Sequence, residues 1–327
     1  MTENPLLEIK DLKVYFRTNR GQLPAVKGIN LSVGAGEIVG IVGESGCGKS
    51  VTSQSILRLL EYTDPVEYQG EILFRGQDLL RLPLKKLRNI RGDDISVIFQ
   101  DPITSLNPVY TIENQLTEAL KLRRKLSKSE AKAAALELLQ LTGISNPLKR
   151  LKQYPHELSG GMQQRVMIAM ALACEPELLI ADEPTTALDI TIQAQILELI
   201  LKMKEEKGLS VLFITHNLGI VAEICDSVRV MYLGQIVEEA STKALFEEPL
   251  HPYTKGLIKS IPRLNGDRNT KLHVIEGTVP LLQDIKNGCH FVTRCPHMIE
   301  KCAAEEPPLI KVDDIEHKVK CWRVKEL

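Results

Sequence analysis

The sequence carries no excess of charge of either sign. Among 327 residues, Lys and Arg number 41 and Asp and Glu 42, for a net charge of −1. That balance argues against nucleic-acid binding driven by one whole-protein positive field, and leaves open only a local basic groove. Long apolar runs are also missing. None approaches the ~18 residues of a membrane-spanning helix, so the chain is not expected to span a membrane alone. Met1-Thr2-Glu3-Asn4-Pro5 lacks a basic start followed by an apolar stretch. No secretory signal is expected, and a soluble cytoplasmic protein follows as the expectation. No internal repeat with a period of about 20 to 50 residues stands out.

What is present suits a folded chain of about two domains. Hydrophobic residues make up 43% and charged residues 25%, close to a soluble globular average, so a core forms without disulfides. The 7 cysteines are unevenly placed: Cys47, Cys174 and Cys225 are scattered, whereas Cys289, Cys295, Cys302 and Cys321 crowd towards the C-terminus. In a cytoplasmic chain such a cluster suggests a metal or redox site rather than disulfides.

Up to about residue 240, strand-like runs alternate with helix-like stretches, which predicts an α/β domain with a largely parallel sheet. Glu37 to Val42 reads as a buried strand running into glycines, and Ser50 to Leu60 as a helix. Leu178 to Ala181 and Ser210 to Thr215 read as two further strands, with a helix from Ile190 to Lys204 between them, before Gly208. Residues 101–165 read as helices only. Ser127-Lys128-Ser129-Glu130 is a capping box ahead of Ala131 to Leu141, and Gly143 stops that helix. This predicts a helical subdomain inserted in the α/β core. Past about residue 245, prolines, a strand-like segment from Lys271 to Val279 and the clustered cysteines predict a small appended unit.

Gly43-Glu44-Ser45-Gly46-Cys47-Gly48-Lys49-Ser50 fits the phosphate-binding loop, between a strand and a helix as that motif requires. Glycines let successive backbone N–H groups point at phosphate oxygens, and the helix N-terminus adds a favourable field. Lys49 is assigned to the β- and γ-phosphates and the Ser50 hydroxyl to Mg²⁺. Leu178-Leu179-Ile180-Ala181-Asp182-Glu183 puts two acids at the carboxyl end of a strand, where ligands of parallel sheets sit. Asp182 would hold Mg²⁺, and Glu183 would polarise the attacking water. Leu158-Ser159-Gly160-Gly161-Met162-Gln163-Gln164-Arg165 opens a helix from Met162 to Ala173 and forms a second anion-binding helix start, or a plain N-cap. The basic stretch Lys121 to Lys125 reads as a solvated helix face, or as a surface for a membrane partner.

Together these segments resemble an ATP-binding-cassette (ABC) nucleotide-binding subunit. Gly43 to Ser50, with Val51 next, is similar to Walker A. Leu158 to Arg165 is similar to the family signature, and Leu178 to Glu183 to Walker B. Gln100 matches the Q-loop glutamine, Ala187-Leu188-Asp189 the D-loop, His216 the switch histidine, and Phe16 (or neighbouring Tyr15) the adenine-stacking A-loop. The resemblance implies a P-loop NTPase core with an ABC β-subdomain and a helical subdomain at about 101–165, together spanning 1–245, with an extension over 246–327. It implies head-to-tail pairing with a second ABC ATPase subunit, as a heterodimer or as a homodimer in isolation. ATP on one Walker A would be capped by the other subunit's Ser159, Gly160, Gly161 and Gln163, with Asp189 nearby. It also implies catalytic roles for Glu183, His216 and Gln100, with Gln100 sharing Mg²⁺ with Ser50 and Asp182, and nucleotide contacts from Gly43, Ser45, Gly46, Cys47, Gly48, Lys49, Ser50 and Val51.

Pro249 to Thr254 and Gly288-Cys289-His290-Phe291 with Arg294-Cys295-Pro296 resemble the C-terminal extension of dipeptide and oligopeptide importer ATPases. Nickel and glutathione importers share the features. The resemblance implies two permease subunits, an extracytoplasmic peptide-binding protein, no nucleic acid, and a peripheral location on the cytoplasmic face of the membrane. Cys289, Cys295, Cys302 and Cys321 follow C-x5-C-x6-C-x18-C. Zinc sites usually show close C-x2-C pairs, and none occurs. Well-spread thiolates suit a [4Fe–4S] cluster better. His290, His297 and His317 keep zinc open, and free thiols are the third reading. A soluble ABC-type ATPase of DNA repair or chromosome maintenance is the competing function. Long coiled coils or a second cassette would mark it, and neither is present.

Overall fold

The structure is a computed structural model and describes residues 4–19, 21–101, 105–186, 188–261, 274–280, 287–312, 316–324 and 326. Ala187, residues 102–104 of the expected helical subdomain and residues 271–273 of the strand-like segment lie outside them. Two compact units emerge. One comprises 1–33, 38–81 and 215–327, the other 34–37 and 82–214.

In the first unit, β1 (Leu7–Thr18), β2 (Gly21–Val33), β4 (Val66–Phe74) and β5 (Gln77–Asp78) form an antiparallel sheet in the order β2-β1-β4-β5. Leu7, Ile9, Leu12 and Val14 are buried along β1. The register shifts between Ile9 and Leu12, where Asp11 takes a φ of 45°. That irregularity hides the two-residue alternation from a reader of the sequence. β3 (Ile38–Val42) is wholly buried and leads through the glycine loop into the helix Lys49–Ile56. This helix ends earlier than its pattern predicts, because Arg58 sits at a φ of 53°.

The second unit holds β6 (Ile95–Ile98), β7 (Leu178–Asp182) and β8 (Ser210–Thr215), paired parallel. Every residue of β7 and β8 is buried, and their middles are continuously apolar, as in strands covered on both faces. Between β6 and β7 lie the helices Ile112–Arg123, Lys128–Leu141, Pro147–Leu151 and Gly160–Leu172. Ile112, Leu116 and Leu120 recur every four residues, as do Ala131, Ala135 and Leu139, and the two stripes pack with Val166 and Ala169 in one core. The capping box forms: Glu130 N–H donates to Ser127 Oγ (3.4 Å), and Ser127 N–H donates to Glu130 Oε2 (2.8 Å). The helix Ile190–Lys207 ends at Gly208, left-handed at a φ of 68°.

The first unit continues with β9 (Ser227–Tyr232) and β10 (Gln235–Ser241). β9 runs parallel to β3 and antiparallel to β10. β12 (Lys318–Val319) pairs with β10, and β11 (Ile310–Lys311) with β12. Strand pairing is therefore both antiparallel and parallel rather than largely parallel. Leu233 (φ 42°) and Gly234 (φ 77°) connect β9 to β10, the positive-φ pair of a tight hairpin, and a hairpin makes antiparallel pairing inexpensive in loop length. Residues 274–279 form no strand.

Candidate active site

The glycine loop is shaped by backbone crowding. A Cβ on Gly43 would lie 2.2 Å from the Met231 carbonyl oxygen. Gly48 is the left-handed N-cap of the helix Lys49–Ile56, at a φ of 104°, and a Cβ there would lie 2.8 Å from the Ala25 carbonyl oxygen. Only glycine fits both places. The loop turns Lys49 inward: its ammonium donates to the carbonyls of Gly43 (2.8 Å) and Glu44 (3.0 Å) and is 5% exposed. Cys47 is buried beside it. Burial pushes that thiol up, and the Lys49 charge opposes the shift. Ser45 and Gly46 face solvent, while Ser50 and Val51 are half-buried in the first helical turn. An ammonium held at the mouth of a curled loop opening a helix suits a polyphosphate.

In the second unit, Asp182 ends β7 and is 3% exposed. Glu183 follows in the left-handed region, at a φ of 49°. For a non-glycine residue this conformation costs on the order of 1–3 kcal/mol, and such strain gathers at functional positions. Glu183 N–H donates to the Ile214 carbonyl (2.8 Å), which fixes the turn. Its Oε2 accepts from Gln100 Nε2 (3.1 Å) and Thr186 Oγ1 (3.1 Å). The structure thus brings Gln100 and Glu183 together from positions 83 apart in sequence. Thr186 was not anticipated, and no sequence pattern marks it.

The helix Gly160–Leu172 starts with Ser159 as N-cap, without a side-chain cap bond, so its hydroxyl is not spent on the helix. Ser159 and Gly160 are exposed and Gly161 half-buried. Gln163 differs: its Nε2 donates to the carbonyls of Pro155 (2.8 Å) and Leu158 (3.2 Å), bracing the loop from beneath. Gln164 Nε2 bonds the Pro184 carbonyl, tying this helix to the turn after Glu183. Asp189 caps the helix Ile190–Lys207, accepting from Ile192 N–H (3.0 Å). The basic stretch is largely a solvated face: Lys121, Leu122, Arg124 and Lys125 are exposed, and half-buried Arg123 is ion-paired to Asp93 (2.9 Å).

Two further predicted residues belong to the first unit. Phe16 is half-buried on β1, opposite Leu23 and Val66, while Tyr15 faces Pro24 and Glu67. His216 is exposed, directly after β8 and one residue before Asn217, which caps the helix Leu218–Ile224.

The Pro249 to Thr254 segment is built into the first unit. Buried Glu238 accepts from the backbone N–H groups of Leu250 (2.7 Å) and His251 (2.9 Å), and pairs with His317 Nε2 (2.8 Å). His251 Nδ1 accepts from Tyr253 N–H (3.1 Å), capping the helix Pro252–Lys259. Burial holds the His251 imidazole down at about 4, against the Glu238 charge. Tyr253 packs with Tyr232 and Phe291. Its hydroxyl accepts from Glu44 N–H (2.8 Å), in the glycine loop. Arg294 reaches the Glu44 carboxylate. Neither Tyr253 nor Arg294 was anticipated at this loop.

Cys289, Cys295, Cys302 and Cys321 all line one small cavity, with Phe291, His297 and Trp322 also on its wall. Burial pushes the Cys289 thiol up to about 11 and raises those of Cys295 and Cys321. Among the described residues, no group of three or more His, Cys, Asp or Glu side chains is disposed to hold a metal ion, so metal binding finds no support at that level. Two of the histidines that kept zinc open are engaged elsewhere: His290 Nδ1 lies 2.9 Å from the Leu233 carbonyl, and His317 binds Glu238.

A glycine loop with a buried lysine, a parallel strand ending in two acids, and a second glycine-led helix define an ATPase cassette. Comparison with known proteins agrees. The chain matches the ABC transporter family over residues 26–186 and the oligopeptide/dipeptide transporter C-terminal region over 237–302. It is 50% identical to a probable peptide ABC transporter ATP-binding protein of Sinorhizobium fredii, covering 100% of this chain and 98% of that one. It is 51% identical to the dipeptide transport ATP-binding protein DppD of Bacillus subtilis (97% and 94%), and 50% identical to that organism's oligopeptide transport ATP-binding protein OppD (97% and 88%). A solved dimeric ATP-binding cassette in a post-hydrolysis state, bound to ADP and Pi, superposes with a TM-score of 0.66 at 30% identity, over 72% of this chain and 98% of that one. The cbiO1 protein of Clostridium perfringens, part of an ABC transporter complex, gives 0.60 at 31% identity, over 75% and 92%. The chain belongs to the ABC transporter ATPases.

Proposed function

We propose that this chain is the ATP-binding and ATP-hydrolysing subunit that powers import of dipeptides or oligopeptides. The observation that carries the reading is the coexistence, in one chain, of the cassette match and the peptide-transporter C-terminal match, with relatives named for peptide transport at about half identity. No helix among the described residues is long and apolar enough to cross a membrane. Peripheral attachment through two permease subunits on the cytoplasmic face accords with that, and an external binding protein would deliver the peptide. The domain reading is a cassette over 1–245, with a helical subdomain at about 101–165, and an extension over 246–327.

In the mechanism, the loop amides and Lys49 bind the phosphates of ATP. Ser50, Asp182 and Gln100 are the residues that would hold Mg²⁺, which when bound offsets phosphate charge. Hydroxyl, carboxylate and amide oxygens are the donors that hard cation prefers, so the residues present fit it. Glu183 takes up the proton of the attacking water, or orients that water, and Gln100 and Thr186 fix its carboxylate. His216 bonds the γ-phosphate, and Phe16 or Tyr15 stacks on adenine. Ser159, Gly160 and Gly161 cap ATP held by a second ATPase subunit, with the helix N-terminus facing the phosphates. Asp189 and Gln163 support that surface from within their own chain.

The four-cysteine cavity is the proposed place of a [4Fe–4S] cluster, with zinc the alternative. What supports the reading is that all four cysteines lie on the wall of one cavity, although among the described residues they are not disposed as a ligand set. Buried thiols must lose protons to ligate, so binding would release them. Iron and sulfide in the purified protein, with visible absorption that bleaches on reduction, is the expected result. A colourless protein containing only zinc would sink the cluster.

Transport coupling is tested by adding membranes bearing the permease subunits. ATPase activity is expected to rise severalfold, whereas DNA is expected to leave it unchanged. Stimulation by DNA alone would favour the repair-type reading.

A further inference from the structure

Glu44 places a carboxylate inside the loop that receives a polyphosphate, between Gly43 and Ser45. A carboxylate close to a polyphosphate repels it, so an uncompensated acid here would work against nucleotide binding. The C-terminal extension supplies the compensation. Arg294 Nη1 lies 2.6 Å from Glu44 Oε2, and Nη2 lies 3.1 Å from Oε1, a two-pronged pair. Its side chain is 3% exposed and that of Glu44 28%. The guanidinium is itself aimed by neighbours: Nε donates to the Glu276 carbonyl (3.1 Å), Nη2 to the Ile275 carbonyl (3.2 Å), and the group lies 5.9 Å from the ring centres of Tyr232 and Phe291. Tyr253, accepting from Glu44 N–H, holds the backbone of the same residue.

We propose that Arg294 is a positioning residue of the nucleotide site: it neutralises Glu44 and turns it towards the C-terminal extension, so that the phosphate loop can accept ATP. The proposal rests on reading Gly43 to Ser50 as the phosphate loop. A planar fork that matches a carboxylate on two points suits the task, and lysine would not reproduce it. The geometry also gives the extension a function within the ATPase. Arg294 ends the short turn Val292–Arg294 and directly precedes Cys295. The segment that lines the thiol cavity therefore also sets the charge of the loop.

The test compares Arg294→Met, Glu44→Gln and the double variant in the full chain, by titration with a fluorescent ATP analogue and by steady-state ATPase kinetics. Methionine keeps the apolar stem against Tyr232 and Phe291 and removes the charge. Arg294→Met is expected to weaken nucleotide affinity and raise KM about tenfold, with kcat changed less than about twofold, and the loss is expected to shrink at high salt. Adding Glu44→Gln to Arg294→Met is expected to restore affinity to within about threefold, because the repelling charge is gone. A merely structural arginine would give no such rescue. Unchanged affinity in Arg294→Met, or a double variant no better than the single, overturns the proposal. Lys49→Ala keeps the two readings apart. If it loses binding while Arg294→Met does not, only the Arg294 role fails. If Lys49→Ala binds normally, the loop assignment itself fails.

Discussion

The Glu183 carboxylate accepts a hydrogen bond from the Gln100 side chain at 3.1 Å, joining the end of β7 to the residues just past β6. These two strands are paired in parallel, so their carboxyl ends lie side by side, and the contact follows from register. Gln100 is thus placed to feel any change at the acid expected to handle water. Glu183→Gln is expected to lower ATP turnover at least about 100-fold, the usual scale of positioned acid–base catalysis, with ATP affinity retained. The trapped nucleotide should also stabilise a dimer seen by size-exclusion chromatography. Ordinary turnover in this variant would remove Glu183 from the chemistry.

Gly43→Ala drives a methyl group towards the Met231 carbonyl, which lies 2.2 Å from the ideal Cβ position. The obstacle is a backbone oxygen, so no flexible side chain can yield. The variant should lose roughly 1–3 kcal/mol of stability and bind ATP more weakly. Thermal denaturation and nucleotide titration measure the two effects, and wild-type behaviour in both would contradict the loop geometry.

His251 should make stability depend on pH. Burial keeps the folded imidazole at about 4, opposed by the Glu238 charge and a hydrogen bond to the Lys320 backbone. In the unfolded chain it titrates near 6.5. Between those values the unfolded state binds a proton that the folded state refuses, so stability is lost as pH falls from about 6.5 towards 4. This one group accounts for roughly 2 kcal/mol between pH 7 and 5. His251→Asn keeps an acceptor for Tyr253 N–H, and its urea-denaturation curves should show a smaller loss over that range. An identical loss would place the proton elsewhere.

Leu116 is fully buried in the helical core, in a cluster that includes Val166 and Ala169 of the helix Gly160–Leu172. Leu116→Ala is expected to cost about 2–5 kcal/mol, the range for large-to-small changes in a packed core. Thermal or urea denaturation reads this directly, and a loss under about 1 kcal/mol would mean that the site collapses around the void.

The sequence determined what depends on neighbours along the chain. The glycine loop, the capping box at Ser127 and Glu130, the stop at Gly208 and the buried strands β7 and β8 follow from local steric and hydrogen-bonding rules. Tertiary structure decided the rest, because it concerns groups with no local relation. The β1 sheet joins Leu7 to Phe74 through a bulged register that blurs its alternation. Gln163, in a segment otherwise suited to nucleotide contact, turns inward because the carbonyls of Pro155 and Leu158 need a donor once buried. Arg294 and Glu44 are 250 positions apart and meet only because the chain folds back on itself. A charge inside a phosphate loop is legible in sequence, but the group that neutralises it is legible only in space.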